Sequence, residues 1–383
     1  MKLLAIVGTR PEAIKTLPVV REARRRGVPI VLVSTGQHRE MIRPLFELFG
    51  CPPDHDLDLM QPNQSLGSLT ARALTALGEV LAAEAPGAVL VQGDTTTAFA
   101  GALAAFYARI PVAHVEAGLR TGDLAHPFPE EFNRRAIDQF ARWLFPPTAS
   151  AAEAIAAEGL PAPGDPLARV LVTGNTGIDA LRFAAETVRL DPPRGEALDR
   201  ARTHKTAGGR LVLVTGHRRE NFGAPLENVC RGLREVADAR PDLILLYPVH
   251  LNPNVRGPVG ELLGGHPRIL LAPPMDYLPF VSAMTLADVI VTDSGGVQEE
   301  APALGVPVLV TRERTERPEA VAAGGARLVG SDRARLVREL GELLDHRAIR
   351  EAMARARSPY GDGQAAARVV GCLLGDSVEP FAG

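Results

Sequence analysis

Three carboxylates stand where a parallel sheet would offer them for chemistry. Asp94 follows the apolar run 88–91, Glu116 ends the run 112–115, and Glu130 opens a helical stretch beyond a proline-containing loop. Carboxylates gathered at one sheet rim perturb each other's proton affinity, which suits them to acid/base work. Each also has a plain structural reading. Asp94 fits the N-cap of a helix over 98–107, since aspartate is a preferred cap. Glu116 shares a strand face with His114, and the two fit a satisfied internal pair. Glu130 suits the positive end of a helix dipole.

Two glycine-containing turns, far apart in the chain, carry the complementary chemistry. Gly8-Thr-Arg-Pro-Glu-Ala-Ile-Lys15 follows the run 3–7, and Thr292-Asp-Ser-Gly-Gly296 follows 288–291. Each joins a strand to a helix, where free N–H groups and the dipole favour an anion. Arg10 and Lys15 add cations to the first turn, and Lys15 is one of only three lysines, with Lys2 and Lys205. In the second turn Ser294 adds a hydroxyl, and Gly295 and Gly296 permit close backbone approach. Glu300, one helical turn later, fits a ribose hydroxyl pair or an ordinary solvated acid. His217, with Arg218 and Arg219, ends the run 211–215 and reads as a phosphate contact. The pattern is that of a phosphorylated ligand gripped by two halves of the chain, beside acid/base groups.

The elements that must position these residues alternate regularly. Apolar runs at 3–7, 30–33, 88–91, 112–115, 170–172, 211–215, 243–247, 268–271, 289–292 and 307–310 are nearly continuous, as in strands buried on both faces. Helical patterns at 13–26, 66–84, 130–142, 226–239, 297–304 and 333–344 lie between them. The implied fold class is α/β, with two Rossmann-like, doubly wound parallel-sheet domains. A polar stretch at 190–209 and a turn-rich break at 358–363 interrupt the alternation. The first domain is expected over 1–174 and the second over 175–358, with a final helix within 364–383 returning to the first.

At 383 residues and a net charge of −3, the chain is long enough for two cores and has no basic excess to favour nucleic acid or an acidic membrane surface. Cys51, Cys230 and Cys372 are odd in number and scattered, which fits neither a disulfide framework nor a zinc site. No run is long enough to span a bilayer. The expectation is a cytoplasmic protein.

Taken in order, the motifs resemble those of the non-hydrolysing UDP-N-acetylglucosamine 2-epimerase family. They are the two glycine turns, Gln37-His-Arg-Glu40, Gly93-Asp-Thr-Thr-Thr97, His114-Val-Glu-Ala-Gly-Leu-Arg-Thr-Gly122, Pro129-Glu-Glu131, Thr173-Gly-Asn175, Thr215-Gly-His-Arg-Arg-Glu220, Pro248-Val-His-Leu-Asn-Pro-Asn254, Thr315-Glu-Arg-Pro-Glu319 and Pro359-Tyr-Gly-Asp-Gly363. The resemblance implies a glycosyltransferase-B-like fold, with two domains facing across a cleft and a homodimeric assembly. It implies interconversion of UDP-N-acetylglucosamine and UDP-N-acetylmannosamine, by UDP elimination to 2-acetamidoglucal and re-addition, supplying cell-surface polysaccharide synthesis. No metal, nicotinamide or flavin is implied. Asp94, Glu116 and Glu130 match the acid/base set, and His217 is matched to the diphosphate and its departure. Arg10, Lys15, Ser294, Gly295, Gly296 and Glu300 match nucleotide contacts, with Phe280 near uracil and Arg317 near the site. Gln37, Arg72 and His250 match part of a site for a second UDP-N-acetylglucosamine acting as activator. The chain departs from some relatives at Met275 and Glu40, where those carry glutamine. A glycosyltransferase, a hydrolysing epimerase and a catalytically silent nucleotide-sugar sensor are the competing readings.

Overall fold

The apolar runs become two parallel sheets in a computed structural model that describes residues 1–37, 39–61, 64–161 and 166–383. The first sheet holds β1 (Leu3–Val7), β2 (Ile30–Ser34), β3 (His55–Asp56), β4 (Ala88–Gln92), β5 (Val112–Val115), β6 (Trp143–Phe145) and β7 (Arg169–Val170). Their order is β3-β2-β1-β4-β5-β6-β7. The second holds β8 (Arg210–Thr215), β9 (Leu243–Pro248), β10 (Ile269–Ala272), β11 (Val289–Thr292), β12 (Val308–Val310) and β13 (Ala326–Leu328), in the order β10-β9-β8-β11-β12-β13. Every described pairing is parallel. Buried Val, Leu, Ile and Ala fill both faces of each sheet, the condition under which parallel strands are stable.

Strand order reverses between β1 and β4 in the first sheet and between β8 and β11 in the second. At such switch points the loops beyond the two strands diverge and leave a crevice for ligands. The Gly8 and Gly93–Asp94 turns flank the first, and the 215–220 and 292–296 turns flank the second. Topology therefore gathers the sequence motifs at the two places best suited to bind.

The chain divides into two compact units, residues 1–180 with 360–383, and 181–359. The chain crosses between them inside the helix Thr176–Leu190 and again at Pro359–Tyr360. In the first unit the last helix, Ala365–Leu374, packs on the helix Arg10–Arg25. The polar stretch at 190–209, read as a pause in the pattern, contains the helix Glu196–Thr206. Only Leu198 and Ala201 are buried on it, so its apolar stripe was too thin to register in composition.

Asp179 ties the last helix down. Its carboxylate accepts from the backbone N–H groups of Ala365 (3.2 Å) and Ala366 (2.9 Å). Burial outweighs these bonds and raises its pKa from the usual 3.8 to about 6. A carboxyl raised on folding binds its proton more tightly in the native than in the unfolded chain. Its contribution therefore favours the fold as pH drops from about 6 towards about 4. Between pH 7 and pH 5 the wild type should gain about 1 kcal/mol relative to Asp179→Asn. Urea midpoints of both proteins at the two pH values test this, and identical pH dependence would refute it.

Among the described residues, no helix is long and apolar enough to cross a membrane. All three cysteines are free thiols.

Candidate active site

In the first unit the turn after β1 differs from its sequence expectation. The N–H groups of Gly8 and Thr9, read as an anion site, already donate to the side chain of Glu12 at 3.1 and 2.6 Å. Glu12 is buried and also accepts from the Thr95 hydroxyl at 2.6 Å. Reaching back to the N-cap backbone is the reciprocal half of a capping box, so this helix supplies its own anion. Gly8 is required for another reason. A Cβ there would lie 2.5 Å from the hydroxyl oxygens of both Thr35 and Thr97.

Arg10 starts the helix Arg10–Arg25, half-buried, and Lys15 lies one turn further along. The Lys15 ammonium is ion-paired with Glu116, whose other carboxylate oxygen accepts from the Gln92 amide. Glu116 stands just past β5 with φ of +67°, a left-handed conformation costly for a residue with a Cβ. The surroundings enforce it: its N–H donates to the Phe145 carbonyl at 3.0 Å, and the flanking turns use Gly93 and Gly118 at φ of +69° and +85°. Strain of this kind persists where a side chain must be aimed.

Asp94 does not cap the next helix. Thr95 does, its hydroxyl accepting from the N–H of Ala98 at 3.0 Å. Asp94 is left to meet Arg134, which donates to its carboxylate at 2.8 Å. Burial raises the Asp94 pKa, Arg134 and Lys15 oppose the rise, and the charges of Glu116 and Glu130 add to it. The three acids thus occupy one electrostatic neighbourhood. Sequence reading missed Arg134 and Asn133, whose amide donates to the Asp94 carbonyl at 2.9 Å. Their signal was spacing: they lie three and four residues beyond Glu130, on its helix face. The adjacent acids Glu130 and Glu131 divide the work. Glu131 is fully buried and accepts from the backbone N–H groups of Thr121 (3.0 Å) and Gly122 (3.2 Å), while Glu130 stays partly exposed.

His114 is not paired with Glu116. Its ring lies between the Asp138 carboxylate, 2.6 Å from Nδ1, and the Gly93 carbonyl, 2.8 Å from Nε2.

In the second unit the turn after β8 is organised by Asp293, a buried residue that sequence reading quoted in a motif without a role. Its carboxylate accepts from the backbone N–H groups of His217 (3.0 Å) and Arg218 (2.9 Å) and from the Asn221 amide (3.1 Å). Ser294 precedes the helix Gly295–Ala303 but makes no capping bond through its side chain. The Arg218 guanidinium comes within 3.7 Å of where a Cβ on Gly295 would stand. A glycine helix start beside an arginine and a histidine has the chemistry to receive phosphate oxygens. His217 is exposed and its ring stacks on that of His250, with centroids 5.3 Å apart and an interplanar angle of 14°. Partial burial lowers the His217 pKa, Asp293 resists, and His250 and Arg218 lower it further. Its neutral form is favoured at pH 7.

Arg317 is ion-paired with Glu299 on the helix that Ser294 precedes. Glu300 lies near Tyr277, whose hydroxyl is raised well above its usual range by burial and then by the Glu300 charge. Tyr277 opens the helix Tyr277–Leu286, which carries a half-buried Phe280. A cavity of about 770 Å³ runs along β10 beside Leu198, Met275 and Pro279, and none of the predicted site residues lines it.

Of the residues matched to an activator site, Gln37 accepts from the Thr97 hydroxyl at 3.1 Å. Arg72 donates to the Leu59 carbonyl at 3.0 Å and to Gln61 at 2.7 Å. His38, within the same motif as Gln37, lies outside the described residues. Among the described residues no group of three or more His, Cys, Asp or Glu is arranged to hold a metal ion.

Comparison with known proteins identifies the family and the fold. The family model described as UDP-N-acetylglucosamine 2-epimerase matches residues 21–374. The chain is 48% identical over 374 residues to the UDP-N-acetylglucosamine 2-epimerase of Salmonella typhimurium, covering 97% of this chain and 98% of that one. A solved chain from Listeria monocytogenes superposes with a TM-score of 0.91 at 41% identity, covering 100% and 99% of the two chains. The Neisseria meningitidis UDP-GlcNAc 2-epimerase, solved bound to UDP-GlcNAc, gives a TM-score of 0.83 at 42% identity, covering 98% and 100%. The two sheets are thus those of a glycosyltransferase-B-like fold.

Proposed function

The chain belongs to the UDP-N-acetylglucosamine 2-epimerase family, and on that premise we propose that it interconverts UDP-N-acetylglucosamine and UDP-N-acetylmannosamine. The observation that carries the reading is the coupling of Asp94, Glu116 and Glu130 at the β4–β5 end of the first sheet. The hydrogen on sugar carbon 2 is too weakly acidic for simple abstraction. A carboxylate removes it while the C1–O bond breaks and UDP departs with the bonding electrons, leaving 2-acetamidoglucal. A carboxylic acid then protonates carbon 2 on the opposite face while a UDP oxygen reattaches at C1. This sequence needs a base, an acid and a stabilised diphosphate, and no redox cofactor.

The second unit supplies the diphosphate grip: His217, Arg218 and the helix start at Ser294, Gly295 and Gly296. Glu300 serves the ribose, Phe280 the uracil, and Arg317 the edge of the nucleotide site. Arg10 and Lys15 add positive charge from the first unit, Lys15 through its pairing with Glu116. A second UDP-N-acetylglucosamine is proposed as an activator contacting Gln37, Arg72 and His250. The protein acts in the cytoplasm, and its product feeds cell-surface polysaccharide synthesis.

A homodimer is part of the same reading. Phe106, Tyr107 and Phe132 are 52%, 67% and 50% exposed, and Phe106 and Phe132 pack edgewise or tilted on Phe140 and Phe99. This exposed aromatic surface is the face proposed for the contact.

The decisive experiment is an NMR time course in deuterated water, started from each epimer with no acceptor. Both should reach the same mixture, with solvent deuterium at carbon 2. Free N-acetylmannosamine with UDP would indicate a hydrolase. An unchanged substrate would indicate a transferase or sensor, and epimerisation without deuterium would refute the elimination route.

A further inference from the structure

His114 is fully buried, and both of its ring nitrogens face oxygen atoms, one on a carboxyl group and one on a backbone carbonyl. Nδ1 lies 2.6 Å from Asp138 Oδ1 and Nε2 lies 2.8 Å from the Gly93 carbonyl oxygen. A neutral imidazole has one N–H and would set a lone pair against one of these oxygens. The remaining alternative, a protonated Asp138, is opposed by its other contacts. Asp138 Oδ2 accepts from the Gly118 N–H at 3.1 Å and from Arg120 at 2.8 Å, and Arg120 is itself held by Glu158 at 2.9 Å. The charged groups facing the ring are Asp138 and Asp94, with Arg120 and Glu158 behind Asp138.

The ring also grips the turn that carries Asp94. The Gly93 N–H donates to the Val115 carbonyl at 3.0 Å and the Gly93 carbonyl accepts from His114, so β5 clamps this residue from both sides. Asp94 follows immediately, and Glu116 lies two residues beyond His114.

We infer that His114 is a permanent imidazolium, locked by Asp138, that acts as a positioning residue. It fixes the Gly93–Asp94 turn and holds a buried positive charge behind the Asp94 carboxylate. Burial alone would depress the His114 pKa, but Asp138, the Gly93 carbonyl and Asp94 together reverse this and raise it. The influence is mutual: an anion that favours the imidazolium is itself favoured in its ionised form. Asp94, raised by burial and by the charges of its acidic neighbours, gains from a cation that no ligand can displace.

The role in turnover rests on the epimerase reading above, whereas the charge state does not. Nitrogen-15 NMR of the uncomplexed wild-type protein, with the ring assigned by His114→Gln or Asp138→Asn, reads the charge state without any substrate. Both ring nitrogens should remain protonated from pH 6 to pH 8.5, and an unprotonated ring nitrogen within that range overturns the inference. In His114→Gln, kcat for epimerisation should drop on the order of tenfold or more with KM little changed. The acid limb of its pH profile should move upward by on the order of one unit, because Asp94 loses a neighbouring cation. Asp138→Asn takes the same readouts if His114→Gln does not fold. A purely scaffolding histidine would change yield and melting temperature while leaving the limb in place, and that result refutes positioning. Retained protonation in a protein lacking epimerase activity would sink the functional reading and leave the imidazolium standing.

Discussion

Asp94→Asn, Glu116→Gln and Glu130→Gln are each expected to lower kcat by roughly 10²- to 10⁴-fold, the range for loss of a general acid or base, while UDP affinity changes little. Each amide keeps the size and shape of the acid and removes its capacity to take up or release a proton near neutral pH. The three should not behave identically. Asp94 is raised by burial and by its acidic neighbours, and Arg134 holds one of its oxygens at 2.8 Å. Asp94→Asn removes the nearer of that guanidinium's two anionic partners and leaves Glu131 at 3.7 Å, so some loss of stability should accompany the loss of rate. Glu116 is paired with Lys15 and held in a left-handed backbone conformation. Glu116→Gln keeps the backbone constraint and preserves the side chain's size, which should leave melting temperature close to wild type. Glu130 is partly exposed at a helix start, and its change should be nearly pure in kcat. Steady-state kinetics with UDP calorimetry checks all three. Near-wild-type turnover across the set would dismiss the acid/base assignment.

Much of the frame was legible because strands buried on both faces print as unbroken apolar runs. The runs at 3–7, 112–115 and 289–292 match their strands residue for residue. The short strands His55–Asp56, Trp143–Phe145 and Ala326–Leu328 escaped, since two or three residues cannot establish a period. Strand order was not legible at all, and it is strand order that brings the β1 and β4 turns together.

The site was legible in its residue types and opaque in its pairings. Lys15 meets Glu116 across 101 positions, and His217 meets Asp293 across 76. Local reasoning therefore assigned near neighbours: Asp94 as a cap, His114 with Glu116, the Gly8 turn with an external anion. In each case a competing residue was better placed, namely Thr95, Asp138 and Glu12. Placement at strand ends suggested the three carboxylates as a group, and family resemblance added the roles proposed for them.

Asp293→Ala should separate the two chemical roles from the opposite direction. This carboxylate is buried and receives two backbone N–H groups and the Asn221 amide, whose other bond goes to the Thr311 carbonyl at 3.1 Å. Removing it strands those donors, each at a cost of about 1–3 kcal/mol when buried. The turn carrying His217 and Arg218 would then relax toward water and leave the proposed diphosphate grip disordered. UDP affinity is expected to fall by roughly 10- to 100-fold, equivalent to about 1.4–2.7 kcal/mol. Asp293→Asn should be intermediate, since its carbonyl oxygen accepts but its amide cannot. Calorimetric titration with UDP, alongside melting curves to confirm a folded protein, makes the measurement. The carboxylate variants of the first unit should show the inverse pattern, with slow turnover and intact nucleotide binding. If folded Asp293→Ala binds UDP as the wild type does, the 215–220 turn does not hold the diphosphate, and the division of labour between the two units fails with it.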